Sequence, residues 1–252
     1  MAFALARRKH RTPIKSLLDV GCATGDHLAA FAKHGIQELY GLDADPQLLQ
    51  QARAKHKALK LATGDMVDVD LGRKFDAIVS FYGVLAYART ATRLQQLAKN
   101  LARHLEPGGV IVAEPWHFKE TYQGKPQARH VANDKLAVAR ASAATKHGNE
   151  VHLDVQYLVA QGSKVHHVKE VHKVGLFTKD QVVGAFTQAG LMTFWQDKGP
   201  SGLNGVIVAV KPRRAQSQSG IPIATKTAPA RSPLSVIKDL VRRGRKPGPP
   251  RP

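Results

Sequence analysis

Asp19-Val20-Gly21-Cys22-Ala23-Thr24-Gly25-Asp26 follows the apolar run Ser16-Leu17-Leu18 and leads into His27-Leu28-Ala29-Ala30-Phe31, so a buried strand feeds a glycine-bearing turn and then a helical pattern. Small residues at 21, 23 and 25 let the backbone pass close to a ligand and offer it amides at the helix start. Alone, this turn would serve a dinucleotide site equally well. The theme then repeats. Apolar runs at Glu38 to Leu42, Ala58 to Ala62, Phe75 to Phe81 and Gly109 to Glu114 are separated by helical patterns over about 26–34, 46–56 and 90–105. Leu94, Leu97, Leu101 and Leu105 share one face of the last pattern. Strands alternating with helices predict an α/β fold, a parallel sheet covered on both sides.

Ligands of such sheets sit beyond the carboxyl ends of the strands, so the residues just after each run carry the chemistry. The second run ends at Gly41-Leu42-Asp43, and an acid there can take both hydroxyls of a ribose. The third is followed by Gly64-Asp65-Met66, a carboxylate able to accept from an adenine amino group beside an apolar side chain for the ring. Leu105-Glu106-Pro107-Gly108-Gly109 turns into the fifth. A nicotinamide enzyme accounts for the first two features and leaves the others without a reason.

In this order and spacing the four motifs resemble the class I methyltransferases, a Rossmann-like fold that uses S-adenosylmethionine. The resemblance implies that Asp19, Gly21, Ala23, Gly25, Ala44 and Phe81 line the cofactor, that Asp43 holds its ribose, and that Asp65 with Met66 takes the adenine. Ala23 stands where glycine is commoner and adds one methyl near the methionine portion. Cys22 lies inside the loop, where a small apolar side chain suffices.

Past residue 115 the alternation breaks. Residues 150–160 and 164–177 alternate like antiparallel strands around a hairpin turn at Gln161-Gly162-Ser163. Thr178 and Gly190 bracket a helix, and Leu191 to Gln196 and Gly205 to Lys211 close the sheet as an antiparallel hairpin. Residues 116–177 are therefore an inserted antiparallel β cover over the carboxyl end of the sheet, expected to form a substrate cover, a homodimer contact, or both. The stretch Gly64 to Asp76, Glu114-Pro115-Trp116, the block Val155 to Ala160, Glu170-x-His172, Ala185 to Leu191 and Gly199-Pro200-Ser201-Gly202 resemble the bacterial sugar-nucleotide N,N-dimethyltransferases of desosamine-type pathways. That resemblance implies N-methylation of a small-molecule amine, an amino sugar or similar. There are departures. The family carries a longer front segment with a tyrosine-bearing helix where this chain has MAFALARRKHRTPIK; its active-site histidine aligns with Tyr87; and Leu203-Asn204-Gly205 replaces arginine-glycine.

Candidate substrate-side residues are Tyr82 and Tyr87 after the fourth strand, Glu114, Trp116 and His117 after the fifth, and His172 with Glu170 on one strand face. His152, His166, His167 and His172 lack a carboxylate in ligand spacing, and no metal is expected. Exocyclic-amine methyltransferases of nucleic acids show an Asn/Asp-Pro-Pro-aromatic stretch where this chain reads Ser80-Phe81-Tyr82-Gly83, and cytosine C5 chemistry needs a cysteine there.

Charge bears on partners. The 252 residues hold 38 Lys+Arg against 19 Asp+Glu, for +19. Residues 211–252 supply +10 and residues 1–15 supply +5, so the motif-bearing domain, 16–210, carries only +4. The stretch from 211, rich in Pro, Ser, Gly and Arg, is expected to be a disordered basic tail making weak, salt-dependent contact with nucleic acid or anionic surfaces. An RNA-associated methyltransferase using that tail stays open on this ground, as does a non-catalytic S-adenosylmethionine-binding homologue on the ground of the short front end. The single cysteine excludes an internal disulfide framework. No run reaches the roughly 18 to 20 apolar residues of a membrane span, and the apolar start at Met1 to Ala6 is too short for a signal peptide, so a soluble cytoplasmic protein is expected.

Overall fold

The computed structural model describes residues 13–199 and 205–213. Most of the basic tail, the first twelve residues and Pro200 to Asn204, which include the last three residues of the Gly-Pro-Ser-Gly motif, lie outside the described residues.

The alternating half folds into strands β1 (Ser16–Val20), β2 (Glu38–Asp43), β3 (Lys60–Thr63), β4 (Phe75–Ser80) and β5 (Leu105–Ala113). Helices α1 (Asp26–Ala32), α2 (Pro46–Lys55) and α3 (Ala91–Arg103) cross between them, with a short 3-10 turn at Val84–Ala88. After the insertion come α4 (Lys179–Gln188), β10 (Met192–Gln196) and β11 (Val206–Val210). The seven-stranded sheet runs β10-β11-β5-β4-β1-β2-β3, parallel except for β11, which pairs antiparallel with both β5 and β10. All five residues of β1 and of β11 are buried, because helices cover both faces of the sheet. Leu18, Ile78, Ile111 and Ile207 pack toward α3 and α4, while Leu17, Ala77, Val110 and Val206 pack on the opposite side with Leu28 and Leu49.

Local chemistry sets the boundaries. Asp45 caps α2, accepting from the amides of Gln47 and Leu48, with Pro46 at the first helical position. Thr178 and Gln181 form a reciprocal capping box on α4. Leu94, Leu97 and Leu101 form the buried stripe of α3, whereas Leu105 is already the first residue of β5. Pro107-Gly108-Gly109 is a bulge within β5 and not a turn before it: Phe75 pairs with Leu105, yet Ala77 pairs with Val110. The pairing continues past β11 into Lys211, whose backbone bonds Gly108 and Gly109 and whose Nζ donates to the carbonyls of Ala102 and Leu105.

The insertion is larger in strand content than the pattern at 150–177 predicts. Four strands, β6 (Gln127–Ala132), β7 (Leu136–His147), β8 (Glu150–Gln161) and β9 (Lys164–Gly175), make an antiparallel sheet in that order. β6 is exposed throughout and β7 is rich in alanine and charge, so neither shows the apolar alternation that marks β8. The insertion is seated through Val151, Val174 and Leu176, buried with Ala86 of the 3-10 turn and packed by Trp116 and Tyr122. No helix among the described residues is long and apolar enough to cross a membrane.

Candidate active site

The strand order reverses between β1 and β4, and the loops after β1, β2, β3 and β4 meet around one cleft of about 800 Å3. Gly21, Ala23, Asp43, Ala44, Asp65, Met66, Tyr82, Tyr87 and His172 all line it, with Val84, Pro46 and Leu48 between them. The glycine loop enters the left-handed region at Gly21 (φ 76°), Ala23 (φ 45°) and Gly25 (φ 78°). Gly21 and Cys22 donate their amides to the Leu42 carbonyl, which ties the loop to the end of β2. A side chain at 21 would collide with Val84.

Asp43 is held by two amides. Its Oδ2 accepts from Ala23 N at 2.8 Å and its Oδ1 from Asp45 N at 2.9 Å, so each oxygen keeps a lone pair for a hydroxyl. Asp65 accepts from Val67 N and pairs with Arg93 of α3 at 2.5 Å, beside the buried Met66. Beneath the loop, Asp19 is 1% exposed, and its Oδ2 has no hydrogen-bond partner. Burial, reinforced by the negative Asp43, pushes its carboxyl up to about 8. The nearest cation-forming group is His27 Nδ1 at 3.9 Å, and that ring stacks on Tyr82 at 5.4 Å between centroids.

On the opposite rim, the Tyr87 hydroxyl lies 2.9 Å from Nδ1 of His172, and His172 Nε2 lies 3.2 Å from Glu170 Oε2. Burial, with the carboxylates of Glu170 and Asp43 nearby, raises the Tyr87 phenol above its usual value. The 3-10 turn brings Tyr87 to this place; the register that sets Leu153 opposite His172 places the histidine.

An orphaned acid under a glycine loop, a doubly anchored acid at the second strand tip and an acid beside a buried methionine at the third form a donor set that fits S-adenosylmethionine, with its ammonium, ribose and adenine in that order.

Comparison with known proteins agrees. Residues 17–109 match the family described as "Methyltransferase domain". The chain is 41% identical over 205 residues to the dTDP-3-amino-3,4,6-trideoxy-alpha-D-glucopyranose N,N-dimethyltransferase of Streptomyces venezuelae, covering 80% of this chain and 86% of that one. The crystal structure of Streptomyces venezuelae DesVI superposes with a TM-score of 0.78 at 40% identity, covering 82% of this chain and 88% of that one. SAM-bound CalS10, an amino pentose methyltransferase from Micromonospora echinaspora, gives 0.74 at 31% identity over 83% and 89%. The chain belongs to the sugar N,N-dimethyltransferase family. It is an S-adenosylmethionine-dependent methyltransferase, and the parallel sheet, closing hairpin and inserted cover are those expected of that fold.

Within this family member the remaining candidates are divided. Phe81 is buried in the core, edge-on to His27, and does not line the cleft. Glu114 is fully buried; its Oε2 accepts from Tyr82 N at 3.2 Å, so it shapes the loop that carries Tyr82 and does not face the cleft. Trp116 and His117 line a second, smaller cleft with Tyr122, which Asp43 does not line. Burial lowers the His117 pKa below its usual value. Val84 and Leu48 were not signalled by the sequence, since nothing but the folded loops brings them to the cleft. No group of three or more His, Cys, Asp or Glu suited to a metal occurs among the described residues.

Proposed function

We propose that this enzyme transfers methyl groups from S-adenosylmethionine to the amino nitrogen of a nucleotide-linked amino sugar. The observation that carries the reading is the Tyr87–His172–Glu170 chain at the rim of the cleft that Asp43 and Asp65 also line. The relatives' dTDP-amino-sugar substrates support the same class. Bound S-adenosylmethionine supplies an electrophilic methyl on sulfur, open to in-line attack by a neutral amine.

The work of the chain is then positioning and proton handling. Asp43 takes the ribose hydroxyls, Asp65 and Met66 the adenine, and Asp19 the ammonium of the methionine portion. Glu170 accepts from His172 Nε2–H, which fixes the tautomer and leaves Nδ1 to accept from the Tyr87 hydroxyl. The Tyr87 oxygen then offers a lone pair to the substrate N–H. As the amine gives up a proton to Tyr87, the phenol proton passes to His172. Tyr82, stacked on His27, and Val84 wall the space between cofactor and amine. In this reading residues 16–210 are the catalytic domain and the antiparallel insertion, 116–177, is its substrate cover, in a cytoplasmic biosynthetic enzyme. A homodimer would cover Leu158, Val165 and Val171, apolar residues exposed on one face of the inserted sheet; sedimentation measures it.

The test is incubation of the full chain with S-adenosylmethionine and either dTDP-amino sugars or bulk RNA, followed by mass spectrometry. Mass increments of one or two methyls on the sugar nucleotide are expected. Methylation of RNA alone would overturn the reading.

A further inference from the structure

Asp65 is gripped at both oxygens. Its Oδ1 accepts from the amide of Val67 at 2.9 Å, and its Oδ2 accepts from Arg93 Nη2 at 2.5 Å. Each carboxylate oxygen keeps a further lone pair, and Asp65 lines the cofactor cleft while Arg93 is not among the lining residues. Arg93 therefore reaches the carboxylate from outside the cleft. Both side chains are partly open to water, and an ion pair so placed contributes little to folding. What the pair fixes is orientation, because a carboxylate tied at both oxygens is not free to turn about its own bond.

The place of Arg93 in its helix points the same way. Thr90 caps α3 and accepts from the Arg93 amide at 3.2 Å, so the arginine stands in the first helical turn. A cation there has the wrong sign for the helix dipole, and that turn holds no acid of its own. Asp65 brings the negative charge from the loop after β3. Two turns along the same helix face, buried Asn100 donates its side-chain amide to the carbonyls of Met66 at 3.1 Å and Val69 at 3.0 Å. One face of α3 thus holds both the backbone of this loop and the acid that the loop presents to the cleft.

We propose that Arg93 is a positioning residue that makes the cofactor site selective for a 6-amino purine. This rests on the reading of Asp65 as acceptor for the adenine amino group. Paired to a guanidinium, Asp65 presents only lone pairs to the cleft. An amino group at C6 donates to one of them, whereas a 6-oxo purine sets its own oxygen against the carboxylate and is repelled. With Arg93 gone, Oδ2 loses its anchor, the carboxylate swings, and attraction and repulsion weaken together.

Calorimetric titration of the full chain with S-adenosylhomocysteine and with S-inosylhomocysteine, which carries a 6-oxo group and an N1–H in place of the 6-amino group, tests this. The proteins are wild type, Arg93→Gln, Arg93→Lys and Asp65→Asn. Wild type is expected to prefer the adenosyl ligand about a hundredfold. Arg93→Gln is expected to cut that ratio about tenfold, and Arg93→Lys, which keeps a cation on Oδ2, to hold it within about threefold of wild type. Asp65→Asn, whose amide donates as well as accepts, is expected to bind the two ligands about equally. A merely structural Arg93 would weaken both ligands alike, so an unchanged ratio in Arg93→Gln overturns the proposal. If Asp65→Asn still loses the preference in that case, the adenine assignment stands. Equal binding of both ligands to wild type, or an Asp65→Asn ratio equal to that of wild type, overturns the assignment and the proposal together.

Discussion

The Tyr87 hydroxyl and Nδ1 of His172, 85 positions apart, meet at 2.9 Å, so a turn of the parallel domain and a strand of the insertion share one hydrogen bond at the cofactor cleft. Tyr87→Phe removes the oxygen proposed to face the amine and keeps the ring. The expected loss is about a hundredfold in kcat with the KM for S-adenosylmethionine unchanged. His172→Gln should act through the same bond, so the double variant falls no further than the worse single one. Additive losses in steady-state kinetics would separate the two residues.

Asp43 accepts from two backbone amides in addition to its proposed part in holding the cofactor ribose. Asp43→Ala should weaken S-adenosylhomocysteine roughly a hundredfold, from hydrogen bonds to a charged group at roughly 1.5 to 3 kcal/mol each. The freed amides of Ala23 and Asp45 also loosen the loop, so the melting temperature of the ligand-free protein should fall. Calorimetry showing wild-type affinity would refute the site.

Asp19 makes stability depend on pH in an unusual direction. Its folded carboxyl titrates at about 8 against 3.8 in the unfolded chain, so between those values the folded state holds the extra proton. Its contribution is thus neutral below about pH 4 and increasingly unfavourable as pH rises toward 8. Asp19→Asn, which copies the neutral form, should be more stable than wild type near pH 8, the advantage fading toward pH 4 in denaturant titrations. A cofactor ammonium placed on Asp19 ionises it, so binding near pH 7 should release a proton, read from the dependence of calorimetric heats on buffer ionisation enthalpy.

Ala23 adopts φ 45°, a region that costs an alanine roughly 1 to 2 kcal/mol relative to the usual helical basin and costs glycine nothing steric. Ala23→Gly should therefore stabilise by up to about 1 kcal/mol after the entropy of the unfolded glycine is counted. Ala23→Val should destabilise and weaken the cofactor together. Melting curves with and without S-adenosylhomocysteine distinguish these outcomes.

The positive charge of the chain is concentrated outside residues 16–210. A chain ending at Arg213 is expected to keep its activity on amino-sugar nucleotides within about twofold, while any weak, salt-sensitive affinity for RNA is lost, as filter binding would register.

The sequence made the cofactor half legible because a parallel sheet buried on both faces needs unbroken apolar runs, and the glycine turn and two strand-tip acids sit at fixed places after them. The insertion was half legible. β8 shows its alternation because Val151 and Val155 are buried, whereas β6 is exposed throughout and the covered face of β7 carries Arg140, Ser142 and Ala144, which leave no apolar period in the sequence. On the substrate side, Tyr87 and His117 read as equals along the chain, each following a strand. Only the 3-10 turn and the register of β9 send one to the cofactor cleft and the other to its neighbour.

Cys22 lies within the glycine loop, 4% exposed, its thiol pushed up to about 12 by burial and by the negative Asp19 and Asp43. As the only cysteine of the chain, it is chemically silent while the loop is closed. Alkylation can proceed only when the loop lifts off β2 and admits solvent. The rate of modification by iodoacetamide therefore counts those openings directly, and its suppression by added cofactor offers a footprint of binding without any introduced label.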